Sequence, residues 1–317
     1  MKPQAAAQQQ TTASRMGLGS LVRGKISRPV RVVIHGVDGV GKSTFGADAP
    51  SPIFLGAEDG TAQLDVARFP APETWADVIE AVRVLTVDAH DFRTLVVDSL
   101  DWAEPLVWRH VCEQAKAKTI EDVGGGYGKG YTAAVDEWRR LLSALEGLRR
   151  AKSMHVVLIA HSLVKVFKNP MGEDFERYQV KVNDKAAGVI REWADDVLFA
   201  TYEVVAAKNE KTKRVRGVDT GARLLHTVYS AAYDAKNRHS LPSTLPLSWA
   251  EYWNAVLSGQ VAEPAALRVS IEALLPMLNE KDRAAMPAHL ERAGADAGKL
   301  AKLLDWTKAR SAVKEDA

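Results

Sequence analysis

One glycine-rich stretch, GVDGVGKS at residues 36–43, constrains this sequence more than any other feature. It fits the pattern G-x-x-x-x-G-K-[ST]. A β-branched run at residues 30–35 precedes it, and residues 44–49 after it can begin a helix. A strand, this glycine pattern and a helix, in that order, form a loop whose backbone N–H groups surround phosphate. The stretch therefore predicts a phosphate-binding loop at the end of a buried strand.

Each part of the loop has a predicted role toward a nucleoside triphosphate. The glycines allow backbone N–H groups to face the α- and β-phosphates, and the N-terminus of the following helix adds partial positive charge. Lys42 is predicted to bind the β- and γ-phosphates, and the Ser43 hydroxyl to ligate Mg²⁺. We expect ATP and Mg²⁺ as cofactors. The predicted nucleotide-binding residues are Gly36, Val37, Asp38, Gly39, Val40, Gly41, Lys42, Ser43 and Thr44.

Composition excludes several classes of protein. The 317 residues are 46% hydrophobic and 26% charged, and the formal net charge is only +2, so any nucleic-acid surface has to be local. Cys112 is the single cysteine, which excludes an intramolecular disulfide and suits a reducing compartment. No apolar run approaches the roughly 20 residues that span a membrane. We expect a cytoplasmic protein without membrane contact.

Short hydrophobic strands alternate with helical patterns along the chain. This alternation predicts an α/β fold with a mainly parallel sheet and helices on both faces. The last two strands are predicted to be joined by a basic turn, Lys208 to Gly217. After the first strand, the predicted strands cover residues 53–57, 93–98, 154–161, 197–205 and 223–229.

Three regions are predicted from composition and periodicity. Residues 1–27 are rich in Gln, Ala, Thr and Ser and are expected to form a disordered tail. Residues 28–258 contain the predicted sheet and form the ATP-binding domain, and residues 259–317 are Ala- and Leu-rich with helical spacing. Within the middle region, residues 163–192 are mixed and polar, and we expect a flexible segment around Asn169-Pro170-Met171-Gly172.

Asp98 ends an apolar strand, the position from which an acid can hold Mg²⁺ opposite the Ser43 hydroxyl. The alternative for Asp98 is a helix N-cap, but Asp101 with Glu104 is predicted to cap the following helix instead. His161 ends the next strand, at the edge where α/β sheets bind ligands, and is predicted to sense the γ-phosphate. The alternative for His161 is a purely structural role.

A separate carboxylate is needed to activate the attacking water. Many AAA+ ATPases carry Glu directly after the metal-binding Asp, but this chain has Ser99 there. Glu58 follows the strand at residues 53–57 and is predicted to supply the catalytic carboxylate. Asp59 is the competing candidate, and an exposed turn carboxylate without a catalytic role is the alternative for both.

Six segments occur in one order along the chain: residues 36–43, Glu58, residues 96–99, 126–131, 160–161 and 236–238. Together they resemble phage P-loop ATPases with a RecA-like core, including Sak-type single-strand annealing proteins. The resemblance covers roughly residues 28–256. It implies a RecA-like fold, ATP hydrolysis, binding of single-stranded DNA, assembly into a ring or filament, and a role in phage recombination or replication in the host cytoplasm. It also implies that Lys236 and Arg238 reach the γ-phosphate of a neighbouring subunit, against the alternative of a solvated basic turn.

Two segments have the chemistry of a single-strand binder, which combines cations with aromatic faces. Tyr127, Lys129 and Tyr131 lie in a glycine-rich stretch. The basic turn contains Lys211, Lys213 and Arg214, although a solvated hairpin tip is the alternative there. A single-strand-binding or replication protein is a further partner that the resemblance leaves open.

Two other functions remain open from the sequence. The loop at residues 36–44 also resembles that of thymidylate kinases, and Glu176-Arg177-Tyr178 has the letters of their acceptor-binding element. That element comes later in the chain than such kinases require. The other alternative is an adaptor or loader without enzymatic activity, in which ATP only switches partner affinity.

Overall fold

The fold is of the α/β class, with helices packed on both faces of one large sheet. The computed structural model describes residues 20–21, 26–56, 61–208, 215–260, 264–294, 296, 299–300, 303–304, 306–307 and 310. The strands are β1 (Arg31–Gly36), β2 (Pro52–Gly56), β3 (Ala67–Arg68), β4 (Thr94–Asp98), β5 (His155–Phe167), β6 (Phe175–Val180), β7 (Asp196–Lys208), β8 (Val215–His226), β9 (Lys236–Asn237) and β10 (Thr244–Pro246). The α-helices are α1 (Lys42–Ala47), α2 (Trp75–Val87), α3 (Leu100–Ala115), α4 (Lys129–Lys152), α5 (Asp184–Trp193), α6 (Trp249–Gln260), α7 (Pro264–Leu274) and α8 (Glu280–Ala293).

The sheet has the strand order β10-β8-β7-β1-β5-β4-β2-β3, with β6 paired to β5 and β9 paired to β7. Strands β3, β2, β4, β5, β1 and the start of β7 are parallel. The pairs β7–β8, β8–β10, β5–β6 and β7–β9 are antiparallel. This architecture confirms the predicted α/β fold class, with a mainly parallel sheet and helices on both faces. Since β1, β5 and β4 are parallel, the glycine loop and Asp98 lie at the same edge of the sheet, and β5 alone separates their strands.

The two faces of the sheet bury separate hydrophobic cores. Helices α2 to α5 cover one face, where Trp75 and Trp138 pack edge to face with ring centroids 5.4 Å apart. Helices α1 and α6 cover the other, where Phe45 lies 5.5 Å from Trp249 and 5.9 Å from Tyr252. Alternate residues of each strand supply the two cores, as the twofold periodicity of a strand requires.

Glycine at the end of β1 is a packing requirement as well as part of the loop. A Cβ built on Gly36 would lie 2.2 Å from the carbonyl oxygen of Ala200 on β7. The two backbones can approach this closely only without a side chain.

Three details of the secondary structure differ from the sequence-based prediction. Strand β5 continues to Phe167, six residues beyond the predicted end at residue 161, and pairs with β6 in a β-hairpin. Residues 169–172, where a flexible segment is expected, lie in the turn between these two strands. Strand β7 reaches Lys208 and β8 begins at Val215, so both strands extend into the range predicted for the basic turn. Helix α3 has Ser99 at its N-cap without a side-chain hydrogen bond, and the predicted cap by Asp101 was wrong.

The helices after α6 have a hydrophobic cluster of their own. Leu267, Ile271, Leu278 and Met286 are among its buried residues. This is compatible with the predicted helical region at residues 259–317, whose boundaries stay a prediction. Across the described ranges, no helix is both long and apolar enough to cross a bilayer.

Asp196, at the start of β7, ties three elements together. Its fully buried carboxylate accepts hydrogen bonds from the Tyr252 hydroxyl of α6 at 2.7 Å and from His239 Nδ1 at 2.6 Å. The backbone N–H of Arg238 donates to the same carboxylate at 3.0 Å. The hydrogen bond to Asp196 raises the pKa of His239 above its ordinary value of 6.5, with further support from Asp195 and opposition from burial and Arg238.

This pair predicts a pH-dependent contribution to stability. A raised pKa in the folded state means that the stabilisation is complete below about pH 6.5 and is lost as pH rises through the raised value. His239→Asn should therefore destabilise the protein more at about pH 6 than at about pH 9, measured by urea unfolding. Tyr252→Phe is the matched control, because burial raises the pKa of Tyr252 well above its usual 10 and its hydroxyl stays neutral throughout. An equal loss for His239→Asn at both pH values would contradict the prediction.

Candidate nucleotide site

The glycine loop has the backbone conformation that its sequence predicts. Gly39 and Gly41 have φ angles of +71° and +107°, in the left-handed region where side chains are strained. The chain then enters α1 at Lys42, with Gly41 at the N-cap. Backbone N–H groups at the start of α1 are therefore available to an anion in the loop.

Lys42 lies within the loop and not in solvent. Its side chain is buried, and its Nζ donates to the carbonyl oxygens of Gly36 at 3.2 Å and Val37 at 2.9 Å. The ammonium is thus held at the mouth of the loop, where it can interact with phosphate oxygens.

Ser43 and Asp98 form a pair of oxygen ligands. The Ser43 hydroxyl donates to Asp98 Oδ2 at 2.6 Å. Burial raises the pKa of Asp98, while the hydrogen bond from Ser43 and the charge of Lys42 act in the opposite direction. A buried carboxylate beside a hydroxyl is a hard-oxygen donor set, which Mg²⁺ prefers. The two residues therefore fit the predicted metal role, with Mg²⁺ supplying charge to neutralise phosphate oxygens when bound.

His161 is placed in register with Gly36 by the β1–β5 pairing. Its Nδ1 is 2.9 Å from Asp101 Oδ2, and its backbone N–H donates to Asp101 Oδ1 at 3.0 Å. Its Nε2 lies 3.7 Å from Asp38 Oδ1 of the loop. Asp101 thus fixes the imidazole so that its other nitrogen faces the loop, which suits the predicted sensor position.

Asp101 is a site residue that the sequence analysis assigned to a different role. Burial acts to raise its pKa, but the hydrogen bonds from His161 outweigh burial and hold the pKa below its usual range. One turn later, Glu104 accepts a hydrogen bond from the Asn183 N–H at 2.8 Å, and burial raises the pKa of Glu104 to about 7. The sequence does contain a signal for this role of Asp101, because Asp101 follows Asp98 by three residues and lies in the first turn of the next helix.

His35, directly before the loop, was also missed. It is fully buried, and its ring nitrogens lie 2.8 Å from Ser162 Oγ and 2.8 Å from the Asp234 carbonyl oxygen. Burial lowers its pKa to about 4, so the ring is neutral near pH 7. These two contacts hold the residue that directly precedes the loop, and the neutral ring adds no charge there.

Lys236 and Arg238 lie away from the loop of their own chain. Strand β9 pairs Lys236 with Val197, near the amino end of β7 and three residues before Ala200, which aligns with Gly36. At ~3.3 Å per residue this places β9 roughly 10 Å from the edge that carries the loop. Lys236 Nζ donates to three carbonyls at the end of α5, those of Arg191, Glu192 and Ala194, at 2.6–3.2 Å. The structure therefore shows Lys236 as a helix C-cap, and action across a subunit boundary stays a prediction.

The predicted DNA-binding residues divide into three groups. Tyr127 is 99% exposed in the glycine-rich stretch. Lys129 donates to the Gly124 carbonyl at 2.9 Å, and the Tyr131 ring packs 5.6 Å from that of Trp108. Tyr127 is thus the exposed aromatic face, whereas Tyr131 is part of the packing between α3 and α4. The third group, Lys211, Lys213 and Arg214, lies outside the described residues.

The two candidates for the catalytic carboxylate, Glu58 and Asp59, also lie outside the described residues.

The element that suggested a nucleotide kinase is part of the sheet. Glu176-Arg177-Tyr178 lies within β6, and the buried Arg177 guanidinium donates to Asp234 Oδ1 at 2.8 Å. An arginine committed to this buried ion pair lacks the exposure that an acceptor-binding residue needs.

Two residues of the β7–β8 hairpin contact the loop and were absent from the sequence analysis. The Tyr202 hydroxyl donates to the Gly39 carbonyl at 2.9 Å. Arg223 Nη1 lies 2.9 Å from the point where a Cβ on Gly41 would stand. Neither position has a sequence signal, because each lies more than 150 residues from the loop.

The loop, the Ser43–Asp98 pair and the order of the parallel strands define a P-loop nucleotide-binding protein. Residues 28–239 match the family model described as an AAA domain, and the chain belongs to that family. The SPbeta prophage-derived uncharacterized protein YorG of Bacillus subtilis (strain 168) is 26% identical over 135 residues. That match spans 41% of this chain and 40% of YorG. A crystal structure of the RadB recombinase aligns with a TM-score of 0.36 and 14% identity, over 62% of this chain and 87% of that chain.

The position of Lys236 predicts a structural effect of its removal. Lys236→Ala should lower the free energy of unfolding by about 1–3 kcal/mol, because three carbonyls at the end of α5 lose a charged donor. Urea unfolding measures this loss. Lys168→Ala is the control, since Lys168 is exposed and forms a surface ion pair with Asp174, and its loss should stay within about 1 kcal/mol.

Nucleotide affinity of Lys236→Ala should be unchanged in the same preparation. Wild-type stability together with abolished turnover, recovered on mixing with Lys42→Ala subunits, would contradict the capping role and support action across a subunit boundary.

Proposed function

We propose that this protein is a Mg²⁺-dependent ATPase that binds single-stranded DNA and acts in phage recombination, annealing or replication, within the cytoplasm of the bacterial host. The ATPase proposal rests on one observation: the Ser43 hydroxyl donates to Asp98 Oδ2 at 2.6 Å, next to the buried Lys42. Membership of the AAA domain family supports nucleotide-dependent activity.

The proposed roles follow from position at the carboxyl edge of the sheet. Lys42 binds the β- and γ-phosphates, and Ser43 and Asp98 hold Mg²⁺. His161, oriented by Asp101, contacts the γ-phosphate through Nε2. These groups are preorganised by strand pairing and hydrogen bonds, so they need little rearrangement when charge develops on the phosphate oxygens.

Glu58 is proposed as the general base. Strand β2 ends at Gly56, which is in register with Asp98. The chain therefore leaves the sheet beside the proposed metal ligand, two residues before Glu58. A carboxylate here would take a proton from the attacking water, a role that Ser99 cannot fill.

The proposed DNA surface combines stacking with phosphate contacts. Tyr127 provides an exposed aromatic face, and the basic turn at Lys211, Lys213 and Arg214 would contact the backbone. We further propose that the protein assembles as a homo-oligomer, either a ring or a filament. The Sak-type resemblance and the prophage origin of YorG support the phage context.

Nucleotide chemistry is tested by two substitutions with different expected results. Lys42→Ala should weaken ATP binding and abolish hydrolysis, because the charge that contacts the terminal phosphates is removed. Glu58→Gln should keep near-normal affinity and reduce hydrolysis by roughly 10²-fold or more, the scale of losing a general base. Calorimetric ATP titration and phosphate release measure the two quantities.

The controls separate the remaining alternatives. Asp59→Asn should hydrolyse ATP normally, and the reverse pattern would move the base to Asp59. Unchanged hydrolysis in Lys42→Ala would refute the ATPase assignment. Tight ATP binding without hydrolysis by the wild type, with or without single-stranded DNA, would support the ATP-switched adaptor.

DNA binding is tested by fluorescence anisotropy of a labelled single strand across a salt series. Tyr127→Ala should cost roughly 1–3 kcal/mol with little change in the salt dependence, and Tyr127→Phe should bind normally because the ring still stacks. Neutralising Lys211, Lys213 and Arg214 together should flatten the dependence of log affinity on log salt, by about 0.7 for each DNA phosphate that the protein no longer neutralises. An unchanged slope would mean that the basic turn does not contact DNA and is a solvated hairpin tip.

A further inference from the structure

The β7–β8 hairpin is attached to the phosphate-binding loop on the side away from Asp98. Strand β7 pairs with β1, so the two strands leave the sheet side by side at Gly36 and Ala200. Tyr202 follows Ala200 by two residues and is paired with Arg223 on β8. Through its hydrogen bond to the Gly39 carbonyl, Tyr202 fixes the distance between the hairpin and the loop.

Arg223 projects from this anchored position toward the end of the loop. Its Cζ lies 6.0 Å from the centre of the Tyr202 ring, and its Nη1 stands 2.9 Å from the Cβ position of Gly41. Arg223 is exposed, and no carboxylate among the described residues lies within ion-pairing distance of it. Arg238, by contrast, lies at the amino end of β7, 3.7 Å from Asp195. Arg223 is therefore a cation of this chain held against the loop itself.

The position favours phosphate over other ligands. Gly41 belongs to the glycine pattern of the loop, whose backbone N–H groups surround the α- and β-phosphates. A guanidinium presents paired N–H donors that match phosphate oxygens in two-point contacts. Lys42, inside the loop, approaches the opposite, terminal end of the polyphosphate. The nucleotide would thus lie between two cations supplied by one chain.

We propose that Arg223 is a phosphate-binding residue of this site, contacting the α- and β-phosphates in cis, and that Tyr202 is its positioning residue. This rests on the proposed nucleotide function. A contact with the α- and β-phosphates is present in ADP and ATP alike, so its removal weakens both by the same factor. A contact with the γ-phosphate would weaken ATP alone.

The test is calorimetric titration of ADP and ATP, each with Mg²⁺, into single-site variants. Arg223→Ala and Arg223→Gln should each bind both nucleotides about tenfold or more weakly, the scale of losing a charge-assisted hydrogen bond. Arg223→Lys should recover part of the affinity. Tyr202→Phe keeps the ring but removes the hydrogen bond to Gly39, and should weaken both nucleotides by about two- to fivefold.

Arg139→Ala is the matched control, because Arg139 is exposed on α4 and forms a surface ion pair with Asp136 of the same helix. It should bind both nucleotides normally, and the melting temperature without nucleotide should be unchanged in every Arg223 variant. Normal affinity in Arg223→Ala and Arg223→Gln, with binding weakened in Lys42→Ala, would overturn this inference and leave the proposed function standing. A weakening for ATP alone would overturn the α- and β-phosphate contact. Normal binding in Lys42→Ala would instead refute the nucleotide site as a whole.

Discussion

The parallel pairing of β1 with two neighbours, β5 on one side and β7 on the other, is the constraint on which the rest of this structure depends. It aligns Gly36 with His161 and with Ala200 in a single row across the sheet. Side chains alternate between faces, so a slip of one residue would exchange Val33 with Ile34 between the two cores. The apolar residues of β1 therefore set the position of the loop as firmly as the loop's own glycines do.

The carboxylates that follow β4 show how strongly local environment divides residues of one type. Asp98 is buried against Ser43, and its pKa is raised by that burial. Asp101 is held in its charged form by His161, and burial raises the pKa of Glu104 to about 7. Three acids within seven residues thus have three different proton affinities. The buried Asp98, with a hydroxyl as its hydrogen-bond partner, is the one whose charge a bound cation would stabilise most.

The sequence was sufficient for the elements whose signals are local. The apolar runs of β1, β4 and β5 and the loop itself are patterns of neighbouring residues. Residues whose partners are distant along the chain could not be assigned in this way. The carbonyls that Lys236 caps are more than 40 residues away along the chain, so no pattern of neighbouring residues signals this contact. Arg223 reaches the loop only because β8 pairs with β7 and β7 pairs with β1.

The close approach of Gly36 to Ala200 has a consequence for comparing relatives of this chain. The carbonyl of Ala200 excludes a side chain at residue 36 through strand packing alone. A descendant that no longer used nucleotide would still keep this glycine, since its replacement would separate β1 from β7. The first glycine of the pattern therefore indicates only that β1 and β7 still pack in the same way, whereas retention of Lys42, Ser43 and Asp98 is the evidence for preserved chemistry.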